Sequence, residues 1–289
     1  MEASVSCIIL NYNDADTTIR LIEHSKDFTA FNKLVVVDNL STDDSFERLT
    51  TYACDHIHVI SSDKNGGYGY GNNVGIKYVR DVLHDEYCVI ANPDVIFENE
   101  TVSALLNYIA HDPTCAIVAC SQKNASRYSA WKETGLAGDL IFNSILLNKL
   151  FQPRYYPASF FEQEVCKVYA VSGCFFMARV EALFDIGLYD EDFFLYEEEK
   201  CIAHKLKDKG WNTFLLTSYE YLHEHSVSVS KSIKGFGDAK KIVLESNIKY
   251  LRKYRGISET AIACIKPYYG LCVIESALWD FIRSARKRR

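Results

Sequence analysis

The segment Tyr189–Cys201, with the sequence YDEDFFLYEEEKC, is the part of the chain richest in groups that can transfer protons. Six carboxylates lie between Asp190 and Glu199, and the aromatic and aliphatic residues among them favour a partly apolar environment. Because crowding and desolvation raise carboxylate pKa values, Glu198 and Glu199 are both candidates for a general base. Glutamates in a helix's first turn are also favoured by the helix dipole, so a purely structural role is the alternative.

Two other parts of the sequence carry candidate ligands for a divalent cation. In the run CVIANPDVIF, Asp94 offers a carboxylate and Asn92 a weaker carbonyl oxygen. Mg²⁺ or Mn²⁺ takes few such ligands when water and diphosphate oxygens fill the rest of its shell. His223 and His225 lie two residues apart after a strand-like run, so their side chains share a face and either is a candidate ligand. An Asx turn and structural histidines are the alternatives.

The segment Asn65–Gly75 holds five glycines and three asparagines in eleven residues. Such a stretch can present backbone N–H groups, or a helix N-terminus, to a phosphate. It lacks the G-x-G-x-x-G spacing of dinucleotide-binding proteins, which argues against a nicotinamide-dependent dehydrogenase. A plain glycine-rich turn is the alternative.

Three continuously apolar runs predict the elements that position these groups. These runs are Val5–Leu10, Lys33–Asp38 and Tyr87–Asn92. Each is typical of a strand that is covered on both faces in a parallel sheet, and a helical pattern follows the first of these strands. This βαβ order predicts an α/β fold whose ligands bind beyond the carboxyl ends of the strands.

Polar residues follow the first two strands at that edge. Tyr12 and Asn13 come after the first strand, and Asp38 ends the second. Tyr12 can supply a stacking face for a nucleobase, and Asp38 can accept a hydrogen bond from a base N–H. Asp38 is equally suited to cap the turn NLSTDDS that follows it.

Later segments predict a second part of the sheet and a helical C-terminus. The pattern predicts a helix followed by a proline-containing loop over Leu136–Phe161. It predicts one sheet element over Lys167–Arg179, followed by a short helix that ends at Gly187. From about Glu224 the pattern is helical. We therefore predict a catalytic domain over residues 1–223 and a helical C-terminal extension over residues 224–289.

Composition limits the class of protein and its location. The net charge of −6 and the pI near 5.8 argue against nucleic acid as a partner. Ten cysteines lie mostly in apolar runs without a C-x-x-C pair, which indicates core residues of a protein from the reducing cytoplasm. The N-terminus lacks signal-peptide features, and no uninterrupted apolar run reaches the roughly 18 residues of a spanning helix. The sequence predicts a cytoplasmic protein, either soluble or peripheral on the inner face of the plasma membrane.

The C-terminal stretch YYGLCVIESALWDFIRSARKRR combines apolar and basic residues. This composition suits an interfacial helix on an anionic membrane. It equally suits a docking helix with a solvated basic tail, and both alternatives remain open.

These motifs together resemble glycosyltransferase family 2 of the GT-A enzymes, particularly its bacterial rhamnosyltransferase-like members. The resemblance covers about residues 4–228, through VSCIILNYN, VVVDNLSTDDS, NGGYGYGNNVGI, IANPDVIF, SGCFFMARVEALFDIGLYDEDFFLYEEE and HEHS in that order. Each motif alone is weak, but the ordered set is specific.

The resemblance implies a fold and an activity. The fold is a Rossmann-like, mostly parallel sheet flanked by helices, with a helical C-terminal appendage. The activity is inverting transfer of a sugar from dTDP-rhamnose or a UDP-hexose to a hydroxyl of a glycan or lipid-linked glycan, in synthesis of bacterial surface polysaccharide such as O-antigen or capsule. Mn²⁺ or Mg²⁺ would be the cofactor.

The resemblance also implies roles for individual residues. The nucleotide-binding residues would be Tyr12, Asn13, Asp38, Asn65, Gly66, Asn73 and Asn92. The metal ligands would be Asp94 and His223 or His225, and the acceptor or sugar pocket would be lined by Gly173, Asp190 and Glu191. The general base would be Glu198 or Glu199.

Two positions depart from the family pattern. Asn92 stands where the first acid of the D-x-D motif is expected, and Glu199 stands where an Asp is expected as the base. An inactive nucleotide-binding relative that serves as a partner or scaffold is the alternative function. The retained acids and histidines argue against it.

Overall fold

The computed structural model describes residues 3–224 and 236–287. Its strands are β1 (Val5–Asn11), β2 (Leu34–Asp38), β3 (Ile57–Ser61), β4 (Tyr87–Ala91), β5 (Val95–Ile96), β6 (Cys115–Gln122), β7 (Ala130–Trp131), β8 (Val165–Val168), β9 (Ala170–Val171), β10 (Phe175–Arg179) and β11 (Asn212–His223).

The helices alternate with the strands in the N-terminal half and follow them at the C-terminus. They are α1 (Ala15–Ser25), α2 (Ser45–Thr50), α3 (Tyr68–Tyr78, continued by a π-helical turn Val79–Leu83), α4 (Asn99–His111), α5 (Leu136–Asn143), α6 (Ile145–Phe151), α7 (Val180–Asp185), α8 (Glu198–Asp208), α9 (Phe236–Arg255) and α10 (Glu259–Lys287).

The main sheet has the order β3-β2-β1-β4-β10-β6-β11-β5, with β8 paired to β11. The first four strands in this order are parallel, and every residue of β2 and β4 is buried, which confirms the prediction made from their unbroken apolar runs. β10 then enters antiparallel between β4 and β6, while β11 runs parallel to β6. The α/β fold class is confirmed, and the sheet is mixed in its second half.

A layer of helices covers each face of the sheet. α1 and α4 pack on one face over a core that includes Ile9, Val36 and Val89. On the other face, α3, α7 and α8 pack over a core that includes Ile8 and Ile202. Because successive residues of a strand point to opposite faces, adjacent apolar residues of β1 serve both cores.

Two predicted elements are divided in the structure. The segment Leu136–Phe161 forms α5 and α6, which separate at Ser144, whose hydroxyl caps α6 by accepting a hydrogen bond from the Leu147 N–H. The segment Lys167–Arg179 is not one sheet element, because Ser172–Cys174 turn the chain between β9 and β10. All ten cysteines have free thiols, and eight are buried, as expected for core residues.

The C-terminal helices share a third core with the catalytic part of the chain. Phe193 and Cys201, which lie beside and within α8, pack with Tyr250 of α9 and with Ile262 and Cys272 of α10. The segment Glu259–Arg283 of α10 is long and apolar enough to cross a membrane by length and composition alone, and 28% of its most apolar window is buried in the protein. That is weak evidence for membrane association.

Candidate active site

The carboxyl ends of β1 and β2 meet in a hydrogen-bonded cluster. Asn11 and Asp38 are register partners, and Asn11 Nδ2 donates to Asp38 Oδ1 at 2.8 Å. The other Asp38 oxygen accepts from the Ser41 N–H at 2.9 Å, and the Ser41 hydroxyl donates to Oδ1. Asp38 therefore caps the following turn, and its predicted contact with a nucleobase is a separate role that stays a prediction.

Tyr12 and Asn13 lie at the rim of this cluster. Tyr12 is 36% exposed, so its ring is accessible for stacking. Asn13 has a positive φ of 51°, and its side-chain oxygen accepts from the Thr42 N–H at 2.8 Å. Asn13 thus links the two loops that follow β1 and β2.

The glycine-rich segment is held against the same edge by Asn39, which directly follows β2. Asn39 Nδ2 donates to Asn65 Oδ1 and to the Gly67 carbonyl, both at 3.1 Å. Gly67 has a φ of 89°, and a Cβ there would lie 2.1 Å from the Phe194 carbonyl oxygen. A Cβ on Gly66 would collide with the Tyr70 ring. These two glycines let the backbone turn tightly into α3.

Three predicted residues use their side chains in contacts within the protein. Asn73 Nδ2 donates to the Tyr189 carbonyl at 3.0 Å and to Glu191 Oε1 at 2.9 Å, which fixes α3 to the loop before α8. Asp190 accepts from Lys253 and Tyr254 of α9. The predicted ligand roles of Asn73, Asp190 and Glu191 are untested, and their observed contacts stabilise the fold.

Asp94 and His223 are brought together by a short strand pairing. Val95 of β5 is the register partner of His223 in β11, and His223 Nε2 lies 3.2 Å from Asp94 Oδ1. Both side chains are mostly buried, with exposed fractions of 11% for Asp94 and 16% for His223. One oxygen and one nitrogen donor at this separation fit a single divalent cation that takes its other ligands from diphosphate and water.

This pair is the part of the proposed ligand set that the structure describes. His225 lies outside the described residues, and within those residues no group of three or more His, Cys, Asp or Glu side chains is placed to bind one cation. Burial lowers the pKa of His223, but its contacts with Asp94 and Cys174 outweigh burial and raise the pKa to about 10. Since a metal ligand must be a neutral imidazole, a cation that binds here displaces a proton.

The turn between β9 and β10 connects the metal pair to the acidic segment. The Asn92 N–H, just after β4, donates to the Cys174 carbonyl at 2.8 Å. At the neighbouring residue, the Tyr68 hydroxyl of α3 donates to the Gly173 carbonyl at 2.6 Å. The Gly173 N–H in turn donates to the carboxylate of Glu199. Gly173 therefore lies between the end of β4, the start of α3 and the start of α8.

Gly173 and Glu199 approach each other closely. A Cβ on Gly173 would lie 2.9 Å from Glu199 Oε1, so only glycine fits without moving that carboxylate.

Burial raises the pKa of Glu199. Burial also raises the pKa of Glu198 well above its usual range, and the adjacent Glu199 carboxylate raises it further. Oε1 of Glu198 is buried and has no hydrogen-bond partner among the residues that the structure describes. Both carboxylates are therefore stronger bases than an exposed glutamate, as a general base requires.

Glu197 has a structural role that sequence reasoning missed. Its carboxylate lies 2.7 Å from Lys200 Nζ and 3.5 Å from an Arg154 nitrogen, and it accepts from Asn247 Nδ2 of α9 at 2.9 Å. Lys200 also donates to Asp139 of α5 at 2.9 Å. All four charged residues of this network, defined here as the buried ionic cluster, are nearly inaccessible to solvent. A run of three glutamates gave no sign that the first would be buried among cations.

Several known proteins are similar to this chain in sequence. The family description "Glycosyl transferase family 2" matches residues 6–187. The low-salt glycan biosynthesis hexosyltransferase Agl10 of Haloferax volcanii is 25% identical over 264 residues, which cover 90% of this chain and 81% of the relative. An N-acetylglucosaminyl-diphospho-decaprenol L-rhamnosyltransferase of Mycobacterium tuberculosis is 23% identical over 212 residues, 68% of each chain.

Two solved structures share the fold at low identity. The mannosyltransferase PcManGT from Pyrobaculum calidifontis, in complex with GDP-Man and Mn²⁺, has a TM-score of 0.58 at 14% identity and covers 97% of this chain and 88% of that one. GalNAc-T7 with UDP, GalNAc and Mn²⁺ has a TM-score of 0.60 at 12% identity, covering 96% and 57%. Because the family match spans more than half of the sequence, the chain belongs to glycosyl transferase family 2.

Proposed function

We propose that this protein is an inverting hexosyltransferase that uses dTDP-rhamnose or a UDP-hexose to glycosylate a hydroxyl of a glycan or lipid-linked glycan in surface polysaccharide synthesis. The main observation in support is that a carboxylate of raised pKa, Glu199, contacts Gly173 at the sheet edge that also carries the Asp94–His223 pair. The relatives named for hexosyl and rhamnosyl transfer, one of them to a lipid diphosphate, support the donor and acceptor classes.

In this mechanism Glu199 accepts the proton of the acceptor hydroxyl as that oxygen attacks the anomeric carbon. The bond from that carbon to the diphosphate breaks as the new glycosidic bond forms on the opposite face of the sugar. Tyr12 stacks on the nucleobase and Asp38 accepts a hydrogen bond from it. Asp94 and His223 would hold a divalent cation, which supplies Lewis-acid stabilisation of the departing diphosphate.

Removing the carboxylate of Asp94 tests this assignment. We expect Asp94→Ala to lower turnover by at least about 100-fold, since loss of a charge-stabilising group of this kind costs that much in other enzymes. The measurement is sugar transfer or donor hydrolysis with dTDP-rhamnose and UDP-hexoses, with Mn²⁺ or with chelator.

Donor binding is measured separately by thermal stabilisation with UDP, dTDP and GDP, because a ligand of the native state raises its melting temperature. Near-normal turnover of Asp94→Ala would refute the metal assignment. Nucleotide binding without transfer or hydrolysis by the unmodified protein would instead favour an inactive relative.

A further inference from the structure

The helix α10 has two apolar faces that point in opposite directions. Its inner face packs against the protein through buried residues such as Ile262, Tyr269 and Cys272. Its outer face is exposed and follows the helical spacing of three, four and seven residues. The exposed members of this outer face are Leu271 (63%), Ile274 (56%), Leu278 (59%), Phe281 (73%) and Ile282 (44%).

The short helix α6 extends this apolar surface. Leu146, Leu150 and Phe151 are each 60% or more exposed. Glu275, on the side of α10 next to Leu271 and Leu278, accepts from the first two N–H groups of α6, at 2.9 and 2.7 Å. This carboxylate satisfies donors that a helix start leaves unpaired, so it fixes α6 beside the outer face of α10. We call the exposed residues of both helices the apolar platform.

Two exposed basic residues lie at the ends of the apolar platform, in a chain whose net charge is −6. The segment 140–161, which contains α6, has no acidic residue and carries the exposed Lys149. Arg283 is exposed at the end of the α10 stripe, and Arg286 and Lys287 follow it in the sequence. A monomeric soluble protein rarely exposes so many large apolar residues on one contiguous surface.

We propose that the apolar platform binds the surface of an anionic lipid bilayer, with α6 and α10 both lying in the interface. Leucine, isoleucine and phenylalanine side chains would enter the boundary between headgroups and acyl chains, and Lys149 and Arg283 would contact anionic headgroups. The exposed residues and their charges support this membrane contact independently of the sugar-transfer chemistry. It assigns α6, which the sequence gave no reason to place at a membrane, an equal part with the C-terminal helix.

Flotation of the full-length protein with vesicles tests the proposal. We expect the protein to float with vesicles of phosphatidylglycerol and phosphatidylcholine, and to bind weakly to phosphatidylcholine alone or at high salt, because screening weakens surface electrostatics. Leu150→Asp in α6 and Leu278→Asp in α10 should each reduce the vesicle-bound fraction by about tenfold. Each variant places a charge where an apolar side chain would enter the bilayer. Val82→Asp is the matched control, because Val82 is 52% exposed on a different surface, and it should bind like the unmodified protein.

Three outcomes would overturn the proposal. The first is unchanged binding of Leu150→Asp, which would remove α6 from the surface. The second is that the unmodified protein does not bind vesicles but forms dimers, and that both platform variants abolish these dimers. That result would assign the surface to a second copy of this chain. The third is retention of the protein on vesicles after alkaline carbonate, which would indicate a spanning helix. The lipid and salt series on the unmodified protein tests the proposal even if a variant fails to fold.

Discussion

At the scale of single residues, a steric constraint between Gly173 and Glu199 fixes the position of the candidate base. A methyl group on Gly173 would meet Glu199 Oε1 at 2.9 Å, while its hydrogen-bonded neighbour Tyr68 limits movement of the turn. We expect Gly173→Ala to displace the carboxylate and to lower kcat by about 10 to 100-fold, because a misplaced base loses its geometry with the acceptor. Steady-state kinetics should show a smaller change in the KM for the donor.

The same carboxylate predicts how activity depends on pH. A general base works in its deprotonated form, and burial raises the pKa of Glu199 above the ordinary glutamate value of 4.5. Activity should therefore fall on acidification at a higher pH than an unperturbed glutamate would give. Glu199→Gln should lose at least about 100-fold in kcat and abolish this acidic limb. Glu198→Gln is the matched control, and a limb that disappears there but persists in Glu199→Gln would make Glu198 the base.

The sequence could indicate which residue types belong to the site, but not how their side chains are used. Asp94 and His223 were proposed as partners of one cation, and the structure places them 3.2 Å apart. Asn73 and Asp190 were assigned ligand roles from the family resemblance. Their contacts with Tyr189 and Lys253 come from long-range packing, which local patterns do not encode.

At the scale of elements, the start of α8 is held in an unfavourable backbone conformation. Tyr196 and Glu197 have φ angles of 71° and 72°, a region that costs residues other than glycine about 1 kcal/mol or more each. The buried ionic cluster offsets this cost, because Glu197 contacts Lys200, Arg154 and Asn247 at once. The cluster therefore orients the turn that precedes Glu198 and Glu199.

Removing the charge of Glu197 should destabilise the protein in a pH-dependent way. Burial opposes ionisation of Glu197, but the charges of Lys200 and Arg154 lower its pKa to about 2. A lowered carboxylate pKa contributes stability that is present above the unfolded value of 4.5 and is lost as the pH falls towards 2. Glu197→Gln should cost about 3 kcal/mol at pH 7, the usual order for breaking a buried ion pair.

Urea unfolding at several pH values measures this difference. The two proteins should converge in stability as the pH falls from 4.5 towards 2. Glu162→Gln, at an exposed position outside the buried ionic cluster, is a comparison that should change stability little. A loss for Glu197→Gln that is independent of pH would indicate a packing defect instead of a lost charge.

The elements themselves could be predicted where one pattern dominates. Unbroken apolar runs located β1, β2 and β4 because these strands are covered on both faces. The break between β9 and β10 could not be predicted, since the apolar residues on both sides of Gly173 continue the same pattern. The turn there depends on tertiary contacts with α3 and α8.

At the scale of the whole molecule, the predicted division after residue 223 crosses a shared core. Asn247 of α9 donates to Glu197, and the Tyr250 ring lies 4.0 Å from Lys200 Nζ. Phe193 and Cys201 are covered by the C-terminal helices. We expect a chain cut after Glu224 to lose cooperative folding or most of its stability, because it exposes this core and unpairs buried charges.

Calorimetry of the two chain lengths checks this expectation. The control is a shorter truncation after Arg283, which leaves the packed residues of α9 and α10 in place and should unfold like the full chain. If the chain cut after Glu224 unfolds cooperatively at the normal temperature, residues 1–223 are an independent domain as the sequence predicted.

The pairing of β5 with β11 has a consequence for biosynthesis. Asp94 is translated early and His223 late, and their side chains meet only when Val95 pairs with His223. The donor pair therefore cannot exist on a ribosome-bound chain until β11 has emerged and joined the sheet. A partly synthesised chain therefore lacks this pairing of a carboxylate with an imidazole, although both of the loops that follow β1 and β2 have already left the ribosome.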